Sequence, residues 1–208
     1  MEIDIDGVIH PVSAELVDAG KKLAEEQNAS LVLIQLSTPG GLDTSMRQII
    51  ERIISSRIPV AVFVGPSGKR AASAGYYILL SADIAAMAPG TNTGAAHPVL
   101  MGGQMDETMK EKVGNDAAAY LRSLTGKRGR NPKLAETGVI ESKSFTEQEA
   151  LDGKLIDLIV DSRDALIRKL DGREITRFNG AKATLRLAGA VVDKFRSEEH
   201  TSELQSHS

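Results

Sequence analysis

The chain of 208 residues contains no cysteine and no tryptophan, and aromatic residues make up only 3% of it. Without cysteine there is no disulfide, no thiolate nucleophile and no cysteine-ligated metal. Few aromatic side chains and a net charge of −3, with both signs mixed along the chain, argue against a surface that binds nucleic acid. We therefore expect a core built from Ile, Leu, Val and Ala, and no nucleic-acid partner.

The histidines are too scattered to form a metal site. They stand at positions 10, 97, 200 and 207, without the spacing of a ligand motif. We therefore expect no metal and no cofactor. No stretch approaches the roughly 18 apolar residues that a membrane-spanning helix requires, so the chain as written is expected to be soluble.

Short apolar stretches alternate with amphipathic segments through the first half of the chain. Residues 31–36, 59–64 and 84–88 are typical of strands buried on both faces, whereas residues 12–26 place their apolar side chains on one helical face. A helix of mixed polarity is predicted over 106–125. Strands that alternate with helices of this length predict an α/β fold with parallel strands.

Loops and turns are also marked in the sequence. A small-residue helix is predicted to begin near Ala72, and residues 89–103 form a Gly-rich loop. Thr146 and Glu149 have the spacing of a capping box that opens a short helix. Asn179-Gly180 predicts a hairpin turn between two short strands.

The end of the chain differs from the rest. Residues 196–208 are polar, lack periodicity and follow abruptly on Phe195. They coincide, residue for residue, with one reading frame of a widely used sequencing-adapter oligonucleotide. We therefore interpret residues 1–195 as one domain and residues 196–208 as a disordered tail of artefactual origin.

Two segments have the residue types of an acyl-transfer site. Gly40-Gly41 follows a buried strand, and glycine leaves backbone N–H groups free to form an oxyanion hole. Ser73, flanked by Ala and Gly, stands at the opening of the small-residue helix, where the N–H of Ala74 can also donate to an oxyanion. Each has an ordinary alternative, which is a plain strand-to-helix turn for the glycines and tight helix packing for the serine.

A third segment offers two candidate bases. Lys112 lies in the predicted helix, and a lysine acts as a general base only if burial lowers its pKa toward neutrality. Its ordinary alternative is a solvated ion pair with Asp116, four residues along the helix. His97 needs no such shift, although a lone histidine beside Pro98 is commonly a loop residue. Spacing alone does not choose between them.

Four segments, in the same order along the chain, resemble the NfeD family of membrane-bound, ClpP-class serine proteases. The resemblance runs from residue 2 to about residue 195, and its motifs lie at residues 37–41, 69–80, 88–98 and 112–124. It implies a ClpP/crotonase-like fold of repeated ββα units with a Ser–Lys dyad. By motif, Ser73 matches the nucleophile, Lys112 the general base, and Gly41 and Ala74 the oxyanion-hole positions.

The resemblance also bears on the choice of base. A ClpP-type histidine would be His97, and the acid that orients it should lie near residues 143–145, but no Asp occurs between Asp116 and Asp152. A histidine without its orienting acid loses the correct tautomer. This favours Lys112, with His97 as the alternative base.

The family's partners and location are implied in the same way. We expect an endopeptidase that cleaves hydrophobic segments of stomatin-like (SPFH) membrane proteins, and a protease domain that forms a homodimer. The full-length protein is expected to be membrane-associated with an extracytoplasmic protease domain, of which this chain is a truncated part. The alternatives are an inactive scaffold that binds a stomatin-like protein and a crotonase-type acyl-CoA enzyme. Apolar residues between 99 and 109 would line a substrate groove or a dimer contact.

Overall fold

The computed structural model describes residues 1–99 and 106–196. The helices are α1 (Pro11–Glu26), α2 (Asp43–Ser55), α3 (Ala74–Ser81), α4 (Glu107–Lys127), α5 (Pro132–Ile140), α6 (Glu147–Asp152) and α7 (Arg163–Leu170). The strands are β1 (Glu2–Asp6), β2 (Val32–Ser37), β3 (Val60–Val64), β4 (Arg70–Ala72), β5 (Ile84–Met87), β6 (Asn92–Gly94), β7 (Ser144–Thr146), β8 (Leu158–Ile159), β9 (Glu174–Thr176) and β10 (Lys182–Thr184). The alternation of helices and strands confirms the predicted α/β class.

The main sheet is parallel throughout and buried on both faces. Its strand order is β1-β2-β3-β5-β8, and β3 at its centre is buried along its whole length. Successive side chains of a strand point to opposite faces. Ile34 and Val62 accordingly join the core beneath α1, α2 and α3, whereas Leu33 and Phe63 join a second core against α7 and the β9–β10 hairpin. The predicted buried strands are confirmed.

A second, smaller sheet carries the segment around Ser73. It has the order β4-β6-β7, with β4 parallel and β7 antiparallel to β6. The prediction of a loop over 89–103 is therefore wrong at residues 92–94, and the small-residue helix begins at Ala74 rather than Ala72. Strands of three residues are too short to show a period in the sequence. They form here because β6 pairs with β4 on one side and with β7 on the other.

The capping box and the hairpin turn are confirmed. The Thr146 hydroxyl accepts a hydrogen bond from the Glu149 N–H at 3.2 Å, and the Glu149 carboxylate accepts one from the Thr146 N–H at 2.9 Å. β9 and β10 pair in antiparallel register around Asn179-Gly180. Helices α5 and α7 are additions that the sequence patterns did not predict.

Buried arginines hold the end of α3 that lies away from Ser73. Arg128 donates through Nε to the carbonyl of Ser81 at 2.6 Å, and Arg130 donates to that of Leu80 at 3.2 Å. Arg128 is in turn ion-paired with Asp83 at 2.6 Å, with both side chains almost fully buried. These contacts satisfy carbonyl groups that a helix leaves unpaired at its last turn. The C-terminal end of α3 is thereby anchored.

The two ends of the described chain meet beside β1. The Glu2 N–H donates to the carbonyl of Asp193 at 2.8 Å, and the Phe195 N–H donates to that of Glu2 at 2.8 Å. Phe195 packs partly buried against the main core. The chain is thus integrated with the fold up to this point. The domain boundary after Phe195 stays a prediction, since residues 197–208 of the tail lie outside the described residues.

Candidate active site

Ser73 occupies a strained junction between β4 and α3. Its backbone has φ 54° and ψ −115°, a combination that turns normally give to glycine. The Ser73 N–H donates to the carbonyl of Gly94 at 2.9 Å, while Thr38 bonds to both ends of β4, at Arg70 and Ala72. Backbone strain of this kind costs about 1–3 kcal/mol and persists only where neighbouring structure enforces it. Strand β6 on one side of β4 and the bridge from Thr38 on the other supply that enforcement, and Ser73 is left partly buried.

Gly40 and Gly41 form a tight turn against Ser73. Thr38 Oγ1 accepts from the Gly40 N–H at 3.0 Å and donates to the Gly40 carbonyl at 3.1 Å. Gly40 has φ +124°, and a Cβ atom there would lie 2.7 Å from the Cβ of Ser73. A Cβ at Gly41 would collide with the backbone of Ile9. Both glycines are therefore required by the space available.

Two backbone N–H groups beside Ser73 have no acceptor among the described residues. Gly41 and Ile9 form a parallel bridge in which Ile9 bonds to the carbonyl of Gly40 and to the N–H of Leu42. This pattern turns the N–H of Gly41 away from Ile9. Ala74 is the first residue of α3, so its N–H has no intrahelical partner. Two free donors next to a serine hydroxyl are the elements of an oxyanion hole.

Exposed apolar side chains border the turn. Val8 and Val12 are more than half exposed, and Leu42, the residue after Gly41, is 39% exposed. Val8 precedes Ile9, which is bridged to Gly41. Exposed apolar side chains beside a possible site are a feature of binding surfaces. Residues 100–105 of the predicted groove over 99–109 lie outside the described residues.

Lys112 lies on the second turn of α4, before the part of that helix that packs on the core. Its side chain is exposed, and the first buried residue of α4 is Gly114. No ion pair of Lys112 is found within the described part of the chain. The predicted alternative, a pair with Asp116, is absent there, and Asp116 instead binds Arg47 at 3.1 Å. No contact in residues 1–99 and 106–196 joins Lys112 to Ser73, and its assignment as the base stays a prediction.

His97 faces a different side of α4. Its Nδ1 lies 3.1 Å from the carbonyl oxygen of Val139. A carbonyl only accepts, so Nδ1–H is the donor in this contact. The orienting partner of His97 is thus a backbone carbonyl, not a carboxylate. The cleft in front of His97 is lined by Glu107, Thr108, Lys110, Glu111, Gly114, Asn115 and Ile140.

A family model described as the N-terminal domain of NfeD1b matches residues 2–172. The chain belongs to this family. The matched segment contains Ser73, the Gly40-Gly41 turn and both candidate bases, Lys112 and His97. The predicted family resemblance is therefore confirmed.

The NfeD1b-type domain also matches a curated relative. It is 36% identical over 191 residues to the membrane-bound protease PH1510 of Pyrococcus horikoshii, which covers 90% of this chain and 43% of the relative. The chain thus spans less than half the length of this relative. Within residues 1–99 and 106–196, no helix has both the length and the apolar character needed to cross a membrane.

Solved structures give the same match at the level of the fold. A lysine-to-alanine mutant of the 1510-N membrane-bound stomatin-specific protease, in complex with a substrate peptide, superposes with a TM-score of 0.88 at 32% identity, covering 99% of this chain and 95% of that one. A serine-to-alanine mutant of the same protease gives 0.87 at 34% identity, covering 95% and 97%. These likenesses confirm the predicted fold class for this NfeD1b-type domain.

The sequence patterns missed two contributors to the site. Thr38 joins the Gly40-Gly41 turn to β4, and the carbonyl of Gly94 fixes the backbone of Ser73. The signal for Thr38 was its place between a buried strand and Pro-Gly-Gly. Nothing local indicates Gly94, because its role depends on pairing between β4 and β6.

Proposed function

We propose that this chain is the catalytic domain of a serine endopeptidase that acts on a stomatin-like membrane protein. The observation that carries the proposal is the strained backbone of Ser73, held beside the free N–H groups of Gly41 and Ala74. Strain of this kind is concentrated at functional sites. Relatives that match over this domain are named as membrane-bound and stomatin-specific proteases, which supports the reaction and the substrate class.

The proposed reaction gives each of these groups one role. Neutral Lys112 accepts the proton of the Ser73 hydroxyl, and the oxygen attacks a peptide carbonyl. The N–H groups of Gly41 and Ala74 donate to the oxyanion of the tetrahedral intermediate. Lys112 returns the proton to the leaving amine, and water then hydrolyses the acyl-enzyme.

Two observations favour Lys112 over the neighbouring lysine of α4. Lys110 is ion-paired with Glu107 at 2.9 Å and lines the cleft of His97. Lys112 shares a helix face with Asp116, which contacts α2, the helix that follows the oxyanion turn. The mutated serine and lysine of the 1510-N protease are 41 positions apart, against 39 for Ser73 and Lys112. The comparable spacing supports the assignment of these two residues.

The exposure of Lys112 indicates when the dyad forms. A lysine loses its proton near neutral pH only where burial disfavours the charge, and the exposed side chain of Lys112 lacks that burial here. We therefore propose that the bound substrate covers Lys112 and completes the site. The exposed apolar side chains of Val8, Val12 and Leu42 support a hydrophobic substrate segment. The proposal extends to a homodimer, and to an extracytoplasmic domain within a longer membrane-bound protein.

Covalent labelling with a fluorophosphonate probe tests the dyad. The unmodified chain is expected to be labelled, and both Ser73→Ala and Lys112→Ala to lose labelling, whereas His97→Ala stays reactive. Since the base must be deprotonated, the labelling rate is expected to rise with pH. Full labelling of Lys112→Ala would reject the lysine assignment. A folded chain that is never labelled would instead support the inactive scaffold, which the exposed Lys112 also fits.

A further inference from the structure

Arg47 joins the helix after the oxyanion turn to the helix that carries Lys112. It lies on the second turn of α2, where its Nε donates to the carboxylate of Asp43 at 2.8 Å. Its Nη2 donates to the carboxylate of Asp116 on α4 at 3.1 Å. The two acceptors are on different helices, so this one guanidinium bridges α2 and α4 at the level of Asp116.

The Arg47 guanidinium also stacks on an aromatic ring, which itself stacks on a second ring. Arg47 Cζ lies 4.2 Å from the ring centroid of Tyr120, which stacks on Tyr77 of α3 at 6.2 Å. The Tyr77 hydroxyl donates to the carbonyl of Ala117 at 3.3 Å. Burial raises the pKa of Tyr77 and of Tyr120, so both rings stay neutral beneath the cation. Stacking on an aromatic face and pairing with two carboxylates restrict Arg47 more than a simple surface ion pair does.

The engagement of Asp116 matters because of its position relative to Lys112. Residues four apart on a helix share a face, and a Lys–Asp pair at this spacing ordinarily forms an ion pair. A nearby carboxylate stabilises the protonated form of a lysine. A protonated Lys112 has no lone pair with which to accept the proton of Ser73. An ion pair between Lys112 and Asp116 would therefore oppose catalysis by the dyad.

The other charged side chains near this junction are ion-paired, line the cleft of His97 or lie on α2. On α4, Glu107 is bound to Lys110, and Glu111 lines the cleft on the side of His97. On α2, Asp43 is bound to Arg47 itself, and Glu51 lies one turn beyond Arg47, near enough to Tyr120 to add to the burial that raises the pKa of that phenol. His97 faces Gly114, where a Cβ atom would lie 3.9 Å from its ring. Asp116 is thus the carboxylate on α4 that lies four residues from Lys112 on the same face.

We propose that Arg47 is a positioning residue that holds the carboxylate of Asp116 away from Lys112, leaving Lys112 free to become the neutral base. The proposal rests on the Ser73–Lys112 dyad and adds a residue that controls the protonation of its base. Arg47 touches neither Ser73 nor Lys112 within the described residues. It acts through Asp116 alone.

The test is the pH dependence of fluorophosphonate labelling of the purified chain. In Arg47→Gln, Asp116 is released and pairs with Lys112, so the midpoint of the alkaline limb is expected to rise by about half a pH unit. The double variant Arg47→Gln/Asp116→Asn is expected to return the midpoint to its original value. Arg47→Lys, which retains a cation for Asp116, is expected to stay within 0.2 pH unit, roughly the limit set by fitting such a limb.

A matched control is Arg52→Gln on the same helix. Arg52 pairs with Asp18 of α1 at 2.7 Å, so its loss removes a comparable ion pair without releasing Asp116. Its midpoint is expected to be unchanged. Asp116→Asn alone is a further check that leaves Arg47 intact, and its midpoint is also expected to be unchanged.

The proposal is overturned if Arg47→Gln slows labelling equally at every pH, or if the double variant keeps the raised midpoint. A lower midpoint in Asp116→Asn would also overturn it, because Asp116 would then already act on Lys112. Failure of the dyad itself is distinguishable. In that case Lys112→Ala would retain labelling with the original pH profile, whatever the Arg47 variants do.

Discussion

The backbone around Ser73 is hydrogen bonded to two neighbouring segments, whereas the first two turns of α4, which carry Lys112, are exposed. Thr38 and Gly94 hold the backbone around Ser73 from different sides, and Gly40 lies against the Ser73 side chain. On α4, by contrast, burial begins only at Gly114. In the site we propose, the half around Ser73 is built in advance, and the half that carries Lys112 is exposed. A peptidase arranged in this way would have its oxyanion hole ready and its base incomplete until something covers Lys112.

The difference also separates effects on the free energy of unfolding from effects on the reactivity of Ser73. Substitutions at the pre-built half should alter both the free energy of unfolding and the labelling of Ser73. Substitutions at the exposed half should alter labelling alone. Urea unfolding and fluorophosphonate labelling, measured on the same variants, distinguish the two halves.

The largest effect is expected for Gly40→Ala. The new Cβ would lie 2.7 Å from that of Ser73, at a φ of +124°. We expect a loss of about 3 kcal/mol in unfolding free energy and at least roughly a 100-fold loss in labelling rate. Gly7→Ala is the matched control, because Gly7 has φ +131° with open space around it. Gly7→Ala should be destabilised by the backbone strain but should be labelled at the unmodified rate. Equal losses of labelling in both variants would show that the clash with Ser73 is not the cause.

A smaller effect is expected from relief of strain at Ser73. Both Ser73→Ala and Ser73→Gly remove the hydroxyl, but only glycine adopts φ 54° without strain. We expect Ser73→Gly to be more stable than Ser73→Ala by about 1 kcal/mol, measured by urea unfolding. At Ser45, inside α2, the order should reverse, because glycine is the poorer helix former. The same order at both positions would contradict the strain.

The smallest change in stability is expected for Lys112→Ala. With an exposed side chain and no ion pair among the described residues, it should change the unfolding free energy by less than about 0.5 kcal/mol. Its labelling rate should nevertheless fall by about 100-fold or more. Lys110→Ala, which removes the pair with Glu107, should leave labelling unchanged. A Lys112→Ala variant that unfolds more readily by over about 1 kcal/mol would show that α4 depends on this residue for packing.

The sequence predicted those parts of the fold that are local. Residues 60–64 and 84–87 are apolar without interruption because both faces of the main sheet are covered. The three-residue strands of the second sheet left no such pattern, since partners distant in sequence create them. The loop prediction failed at residues 92–94 for this reason.

In the candidate site, too, the local features were predicted from the sequence and the long-range ones were not. Ser73 and Gly40-Gly41 are visible in sequence because small residues are required wherever backbones approach closely. Arg47 gave no signal, since its partner Asp116 is 69 residues away and only the packing of α4 on α2 brings them together. Whether Lys112 is covered is likewise a property of the assembled site, and periodicity carries no information about it.

The pairing of residues 193–195 with Glu2 places Phe195 and Ser73 toward opposite ends of β1. Glu2 stands at the amino end of β1, and Asp6, at its carboxyl end, is ion-paired with Lys69, four residues before Ser73. The strand between them is about 16 Å long. A chain immobilised through Phe195 would therefore point Ser73 away from its support, toward an approaching polypeptide. Any tether, fusion partner or label added at that position should leave access to the serine unobstructed.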